Sequence, residues 1–231
     1  MKIGIIGGIG PASTLDYYTG IIDGFRRSSP NGQYPEIVID SVNMSDMLAL
    51  VEQGDEDKLA EFLLSSIKNL ENAGASFAAI ASNTPHIVFD RINKSTPIPL
   101  LSIVEETCKE TKKQGYSRLV LFGTAFTMKR SFYADVMRKN GIELIVPNMD
   151  EQETIHGIIF PNLEDGIVLP EQKEKMLKLA NEIMIRENAQ ALILGCTELP
   201  LMVKPDDLDY PILDTAQIHI NAIVDMLSSP V

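Results

Sequence analysis

Ala191-Leu192-Ile193-Leu194-Gly195-Cys196-Thr197-Glu198 is an apolar run that stops at a glycine and then presents a thiol, a hydroxyl and a carboxylate in succession. A short apolar run bounded by turn residues reads as a buried strand. The stretch therefore predicts a strand that ends by displaying small reactive side chains. Phe77-Ala78-Ala79-Ile80-Ala81-Ser82-Asn83-Thr84-Pro85-His86 repeats the device, and in both copies the following residues can open a helix. The copies differ where chemistry would occur: one offers Cys196, the other Ser82.

Working outward, further short apolar runs lie at Ile3–Ile6, Ile37–Ile39, Leu100–Ile103, Leu119–Phe122, Leu144–Val146 and Ile212–Leu213. Amphipathic stretches such as Leu59–Asn72 and Lys173–Asn188 lie between them, and Gly74, Gly115 and Gly141 punctuate helix ends. Such alternation predicts an α/β fold of mostly parallel sheets flanked by helices.

The halves also match each other. Ser82 lies 75 residues after Gly7, and Cys196 lies 73 after Gly123. Pro97-Ile98-Pro99-Leu100-Leu101 follows Ser82 at a spacing like that of Tyr210-Pro211-Ile212-Leu213-Asp214 after Cys196. Matched landmarks in order imply a duplication. Two pseudo-symmetric lobes are expected: one over 1–100, with 211–231 packing on it, and a second over 101–210. Ligands of open α/β sheets bind at the carboxyl ends of strands, so the expected site is a cleft with Ser82 on one wall and Cys196 on the other.

A helix starting at Cys196 would stabilise a thiolate, which can act as base or nucleophile. Against this stands the common fate of cysteine as a buried apolar side chain. Ser82 is a far weaker acid, suited to relaying or donating a proton. His86, four residues on, either assists Ser82 or packs locally. Asn83, Thr84, Thr197 and Glu198 are candidate binders of a small ligand's carboxylate and amino groups, or plain helix caps. The segment Gly7-Gly8-Ile9-Gly10-Pro11-Ala12-Ser13 fits a dinucleotide fingerprint poorly, because Ser13 stands at the third glycine position and Pro11 intrudes. No cofactor is expected. His86, His156 and His219 lie at no metal-ligand spacing, so no metal is expected either.

These motifs resemble the aspartate/glutamate racemase family over nearly the whole chain. The resemblance is carried by Gly7–Thr14 with Tyr17-Tyr18, by Ser82–His86, by Gly123-Thr124 with Thr127-Met128, by Gly195–Glu198, and by Asp214-Thr215 with His219. It implies a cofactor-independent, homodimeric amino-acid racemase acting on aspartate or glutamate, with two acid/base residues flanking the substrate α-carbon. Cys196 matches the second catalytic cysteine, and Ser82 stands where many members carry the first. Ile9, Asn83, Thr84 and Thr197 fall on substrate-pocket positions. The chain departs from the family near Val51 and Asp165, where members often carry polar or basic substrate contacts. Two other readings compete: a one-cysteine lyase or isomerase of the same superfamily, and a non-catalytic ligand-binding protein on this scaffold.

Composition narrows the partners. The chain has 231 residues, 45% of them hydrophobic and 23% charged, with a net charge of −12. That charge opposes binding to a polyanion such as nucleic acid. No apolar run approaches the ~20 residues that span a bilayer, and the chain opens on Met1-Lys2-Ile3-Gly4 without a signal-peptide pattern. The two cysteines, Cys108 and Cys196, make no disulfide framework. The expectation is a cytoplasmic protein acting on a small amino acid.

Overall fold

The computed structural model of the chain describes residues 1–29 and 32–229. It divides into two compact units, Met1–Glu106 with Ala216–Val231, and Thr107–Thr215.

The first unit holds a four-stranded sheet in the order β2-β1-β3-β4, every pair parallel. Its strands are β1 (Lys2–Gly7), β2 (Glu36–Ser41), β3 (Phe77–Ile80) and β4 (Leu100–Leu101). Both faces of β3 are buried, which is why its sequence is continuously apolar rather than alternating. The final strand is shorter than expected. Leu100–Ile103 gives up its last residues because the helix Ile103–Lys113 begins there. The helix Glu56–Asn72 is capped at Asp55, whose side chain accepts from the Lys58 N–H at 3.1 Å.

The helix Thr215–Ser228 packs on the helix Pro11–Ser28 through two glycines on one face. A Cβ at Gly20 would lie 3.1 Å from Ile220, and one at Gly24 2.8 Å from Val224. Their absence lets the helices approach closely, and Ile220, Ile223 and Leu227 join Ile3, Ile5, Tyr17 and Phe77 in one apolar core.

The second unit repeats the topology. Its sheet order is β6-β5-β7-β8, again all parallel. The strands are β5 (Arg118–Phe122), β6 (Glu143–Ile145), β7 (Ala191–Leu194) and β8 (Ile212–Asp214). Its core joins Val120, Phe122, Leu192 and Leu194 with Met176, Ala180 and Ile183 of the helix Pro170–Arg186. All eight strands expected from the sequence are present, and the shared strand order bears out the internal repeat.

Candidate active site

Two strand ends carry the candidate residues, and each is built by the same local device. In the first unit, β1 and β3 run in register through Ile6 and Ile80, and the Ala81 N–H then donates to the Ile6 carbonyl at 3.0 Å. Ser82 is the next residue. In the second unit β5 and β7 run in register through Phe122 and Leu194, and the Gly195 N–H donates to the Phe122 carbonyl at 2.6 Å. Cys196 is the next residue. Ser82 and Cys196 thus occupy equivalent positions in the two sheets, one residue past the last paired amide.

Around Ser82 the turns are tightly cross-linked. The Ser13 hydroxyl donates to the Ala81 carbonyl at 2.9 Å, and the Gly8 N–H donates to the Thr14 hydroxyl at 2.8 Å. The glycine-rich turn, with Ile9 buried in it, is therefore anchored beside the end of β3. Its Gly8 amide is spent on Thr14 rather than offered to a phosphate. Ser82, Asn83 and Thr84 are all buried, and a short 3-10 turn, Thr84–Val88, follows them.

His86 is held by its surroundings. Its Nε2 accepts from the Ile103 N–H at 3.3 Å, and its ring stacks on Phe89 at a centroid distance of 5.1 Å. Burial lowers its pKa to about 4, so the ring is neutral at physiological pH. This is the geometry of a packing and backbone-bracing histidine. Deeper in the unit, His219 Nδ1 pairs with the Tyr17 hydroxyl at 2.8 Å and its Nε2 with the Leu101 carbonyl at 3.1 Å. Burial, and then the charge of His86, lower His219 to about 3.

Both histidines bind protons more readily once unfolded. Their stabilising effect is therefore complete above about pH 6.5 and is lost as pH falls toward about 4 for His86 and about 3 for His219, at about 1.4 kcal/mol per pH unit for each ring. Urea midpoints measured across that window should fall steeply with acid, and His86→Gln should flatten the slope.

Around Cys196 the structure corrects one expectation. No helix begins at the cysteine. Residues 196–198 form a turn, and the helical segment Leu199–Met202 that follows is a single turn long. The thiol is 5% exposed and packs into the core of the second unit. Burial, followed by the charge of Glu198, pushes its pKa well up, so it rests as a thiol rather than a helix-stabilised thiolate. Its Sγ donates to Glu198 Oε2 at 3.1 Å, and the Thr197 hydroxyl donates to the same oxygen at 2.9 Å. Glu198 is thereby an acceptor for the thiol proton.

The sequence reading missed a third group here. Glu164 brings a carboxylate oxygen into a cluster with Cys196 Sγ and a Glu198 oxygen, all within 4.8 Å of one another. Burial, then the charges of Glu198 and Asp165, raise Glu164 to about 7. No linear spacing could have linked residue 164 to 196, because the turn Ile159–Leu163 that carries it follows a separate helix. With the proton on sulfur these three groups form a proton network; with it displaced, the same groups could ligate a cation.

The backbone at β7 is itself braced. A Cβ on Gly195 would lie 2.7 Å from Leu121 and 3.1 Å from the Phe122 carbonyl, and one on Gly123 3.0 Å from the Gly195 carbonyl. The Thr215 hydroxyl donates to the Leu194 carbonyl at 2.7 Å. These contacts fix where the Cys196 side chain leaves the strand.

A family model described as Asp/Glu/Hydantoin racemase matches residues 6–223. The broad specificity amino-acid racemase RacX of Bacillus subtilis (strain 168) is 28% identical over 220 residues, spanning 93% of this chain and 92% of RacX. The crystal structure of an aspartate racemase homologue from Pyrococcus horikoshii OT3 shares 37% identity and a TM-score of 0.86, with 99% of each chain covered. The aspartate racemase of Picrophilus torridus, at 21% identity, shares the fold with a TM-score of 0.78, over 100% of this chain and 95% of that one.

Proposed function

We propose that this chain, which belongs to the Asp/Glu/Hydantoin racemase family, interconverts the L- and D-forms of aspartate or glutamate by proton transfer at the α-carbon, with Cys196 as the stronger acid/base. Membership of that family makes it an isomerase of the racemase kind. The observation that supports the assignment of residues is the equivalence of Ser82 and Cys196, each one residue past the same hydrogen bond in sheets of the same order.

The chemistry runs as follows. Glu198 takes the Cys196 thiol proton along the bond it already accepts, and the resulting thiolate removes the α-proton of the L-substrate. The electron pair of the broken C–H bond moves into the substrate carboxylate as an enolate-like species. Ser82, or a water it holds, supplies a proton to the opposite face and is reprotonated from solvent, while Glu198 returns its proton to solvent, so the enzyme regains its starting state. The family resemblance supports Ile9, Asn83, Thr84 and Thr197 as substrate-binding positions, and all four are buried. None of these steps needs a cofactor or a metal. The family resemblance supports a homodimer acting in the cytoplasm, and among the described residues no helix is long and apolar enough to cross a membrane.

A second reading of the substrate has its own support. The charged groups that act on Cys196 and Glu164 are carboxylates. A second substrate carboxylate placed beside them would be repelled, which favours neutral or basic side chains. RacX, by name, has broad specificity.

One assay tests both readings. The protein is incubated in deuterated water with L- and D-forms of aspartate, glutamate, lysine and a neutral amino acid, and α-deuteration and chirality are followed. Exchange from the L-form should exceed that from the D-form, because a serine hydroxyl is a poor base. Ser82→Cys should raise D-side exchange by about tenfold or more. Equal exchange from both enantiomers in the unmodified protein would overturn the assignment. Absence of exchange with every amino acid would leave the lyase or binding-protein readings.

A further inference from the structure

We infer that Glu164 is a positioning residue for Cys196, acting through Glu198 to hold the two carboxyl groups at a single negative charge beside the thiol. This rests on Cys196 being the acid/base group proposed above.

The cluster is small and its members are fixed. Oxygen atoms of Glu164 and Glu198 and the Cys196 sulfur lie mutually within 4.8 Å. Glu198 is committed to the thiol and to Thr197, both of which donate to its Oε2. Two donated bonds favour the ionised form of Glu198. A second ionised carboxylate at this range, partly out of water, would oppose the first. The pair therefore retains one proton and titrates as a pair. The retained proton belongs on Glu164, which is only half-buried but has its acidity reduced by burial and by its acidic neighbours.

Glu164 is also held in place. Its N–H donates to the Ile159 carbonyl at 3.0 Å, and Ile159 and Leu163, in the turn just before it, are fully buried in the unit's core. The charged and titratable groups that act on it are Glu198 and Asp165, with Cys196 completing the cluster. The segment Leu199–Met202, which packs on the turn Ile159–Leu163, carries no charged residue. The preceding helix Met149–Ile158 offers His156, whose ring lies against Phe160 with centroids 5.0 Å apart.

The consequence for the thiol is directional. With Glu164 protonated, Cys196 faces one negative charge. Once Glu164 ionises it faces two, and forming a thiolate becomes harder. Glu164→Gln locks the cluster in the one-charge state without altering the side chain's shape.

The test is a titration of ultraviolet thiolate absorbance in the full-length protein, with and without Glu164→Gln, each corrected by its Cys196→Ala counterpart. Above neutral pH the thiolate fraction should rise about tenfold or more in the Gln variant, the size expected when one charge within a few ångströms is removed at an effective dielectric of about 20. The acidic limb of kcat/KM should move to lower pH in parallel. Glu164→Asp, which keeps the charge, should titrate like the unmodified protein. A merely structural role would lower kcat at every pH and leave the thiolate midpoint where it was. Identical thiolate fractions in the two proteins, including no thiolate in either before unfolding, would overturn the inference. If the unmodified protein turns over no amino acid, the racemase reading fails while the thiolate titration still decides the role of Glu164.

Discussion

Cys196→Ala should abolish racemisation and α-proton exchange, lowering both by at least about a thousandfold while the protein stays folded. The expectation combines two effects. General acid–base catalysis by one positioned side chain is worth about a hundredfold to ten-thousandfold. The variant also removes the thiol donor from Glu198 Oε2, which still accepts from the Thr197 hydroxyl. The cost in stability should be small, about 1 kcal/mol, because one sulfur atom leaves a void of limited size in the second unit's core. Cys196→Ser separates the two effects. Its hydroxyl can still donate to Glu198, but it is far too weak an acid to be ionised by it. It should remain nearly as inactive as the alanine variant, with an unfolding temperature within a few degrees of the unmodified protein. Racemisation surviving at more than a few per cent in either folded variant would remove Cys196 from the mechanism.

The largest effect on folding should come from Gly8→Ala, with a loss of about 3 kcal/mol or more in urea unfolding. Gly8 has φ +84°, a conformation that L side chains rarely adopt. A Cβ there would also lie 2.3 Å from the Val42 carbonyl and 2.9 Å from the Val42 nitrogen. Those atoms are backbone and cannot swing aside, since the Val42 N–H is bonded to the Gly7 carbonyl at 3.0 Å. Gly74→Ala is the matched control. Its φ is +86°, but its nearest neighbour would be the flexible Lys2 Nζ at 3.6 Å. Only the conformational cost remains there, about 1 kcal/mol. Equal losses from the two substitutions would show that the close approach of the turn to the end of β2 contributes nothing.

The contrast between those glycines bears on how the first turn is read. Gly7-Gly8-Ile9-Gly10 attracts a nucleotide-binding reading when seen as spacing alone. In the folded chain, Gly8 is needed because the backbone after β2 passes against it, and its amide is occupied by Thr14. A string of glycines reports that backbone comes close to something. The sequence does not say whether that something is a ligand or another strand.

What could be read from the sequence were features with short-range causes. The eight strands, the duplication, and the placement of Ser82 and Cys196 just past apolar runs all follow from burial patterns and turn residues within a few positions. A strand buried on both faces must be apolar throughout, and a residue just past its end is displayed whatever the rest of the chain does. The chemistry of the displayed thiol was decided by tertiary structure. Linear context suggested a helix start and a stabilised thiolate. Burial in the second unit and the charge of Glu198 instead keep the proton on sulfur. Glu164, 32 residues before Cys196, enters the cluster only through packing of the turn Ile159–Leu163. Tyr17 and His219, 202 positions apart, meet only because two helices close over glycines. The sequence by itself determined where reactive side chains emerge, because strand ends are set locally. Only the tertiary structure decided their protonation, because electrostatic energies depend on which distant charges share the same dry space.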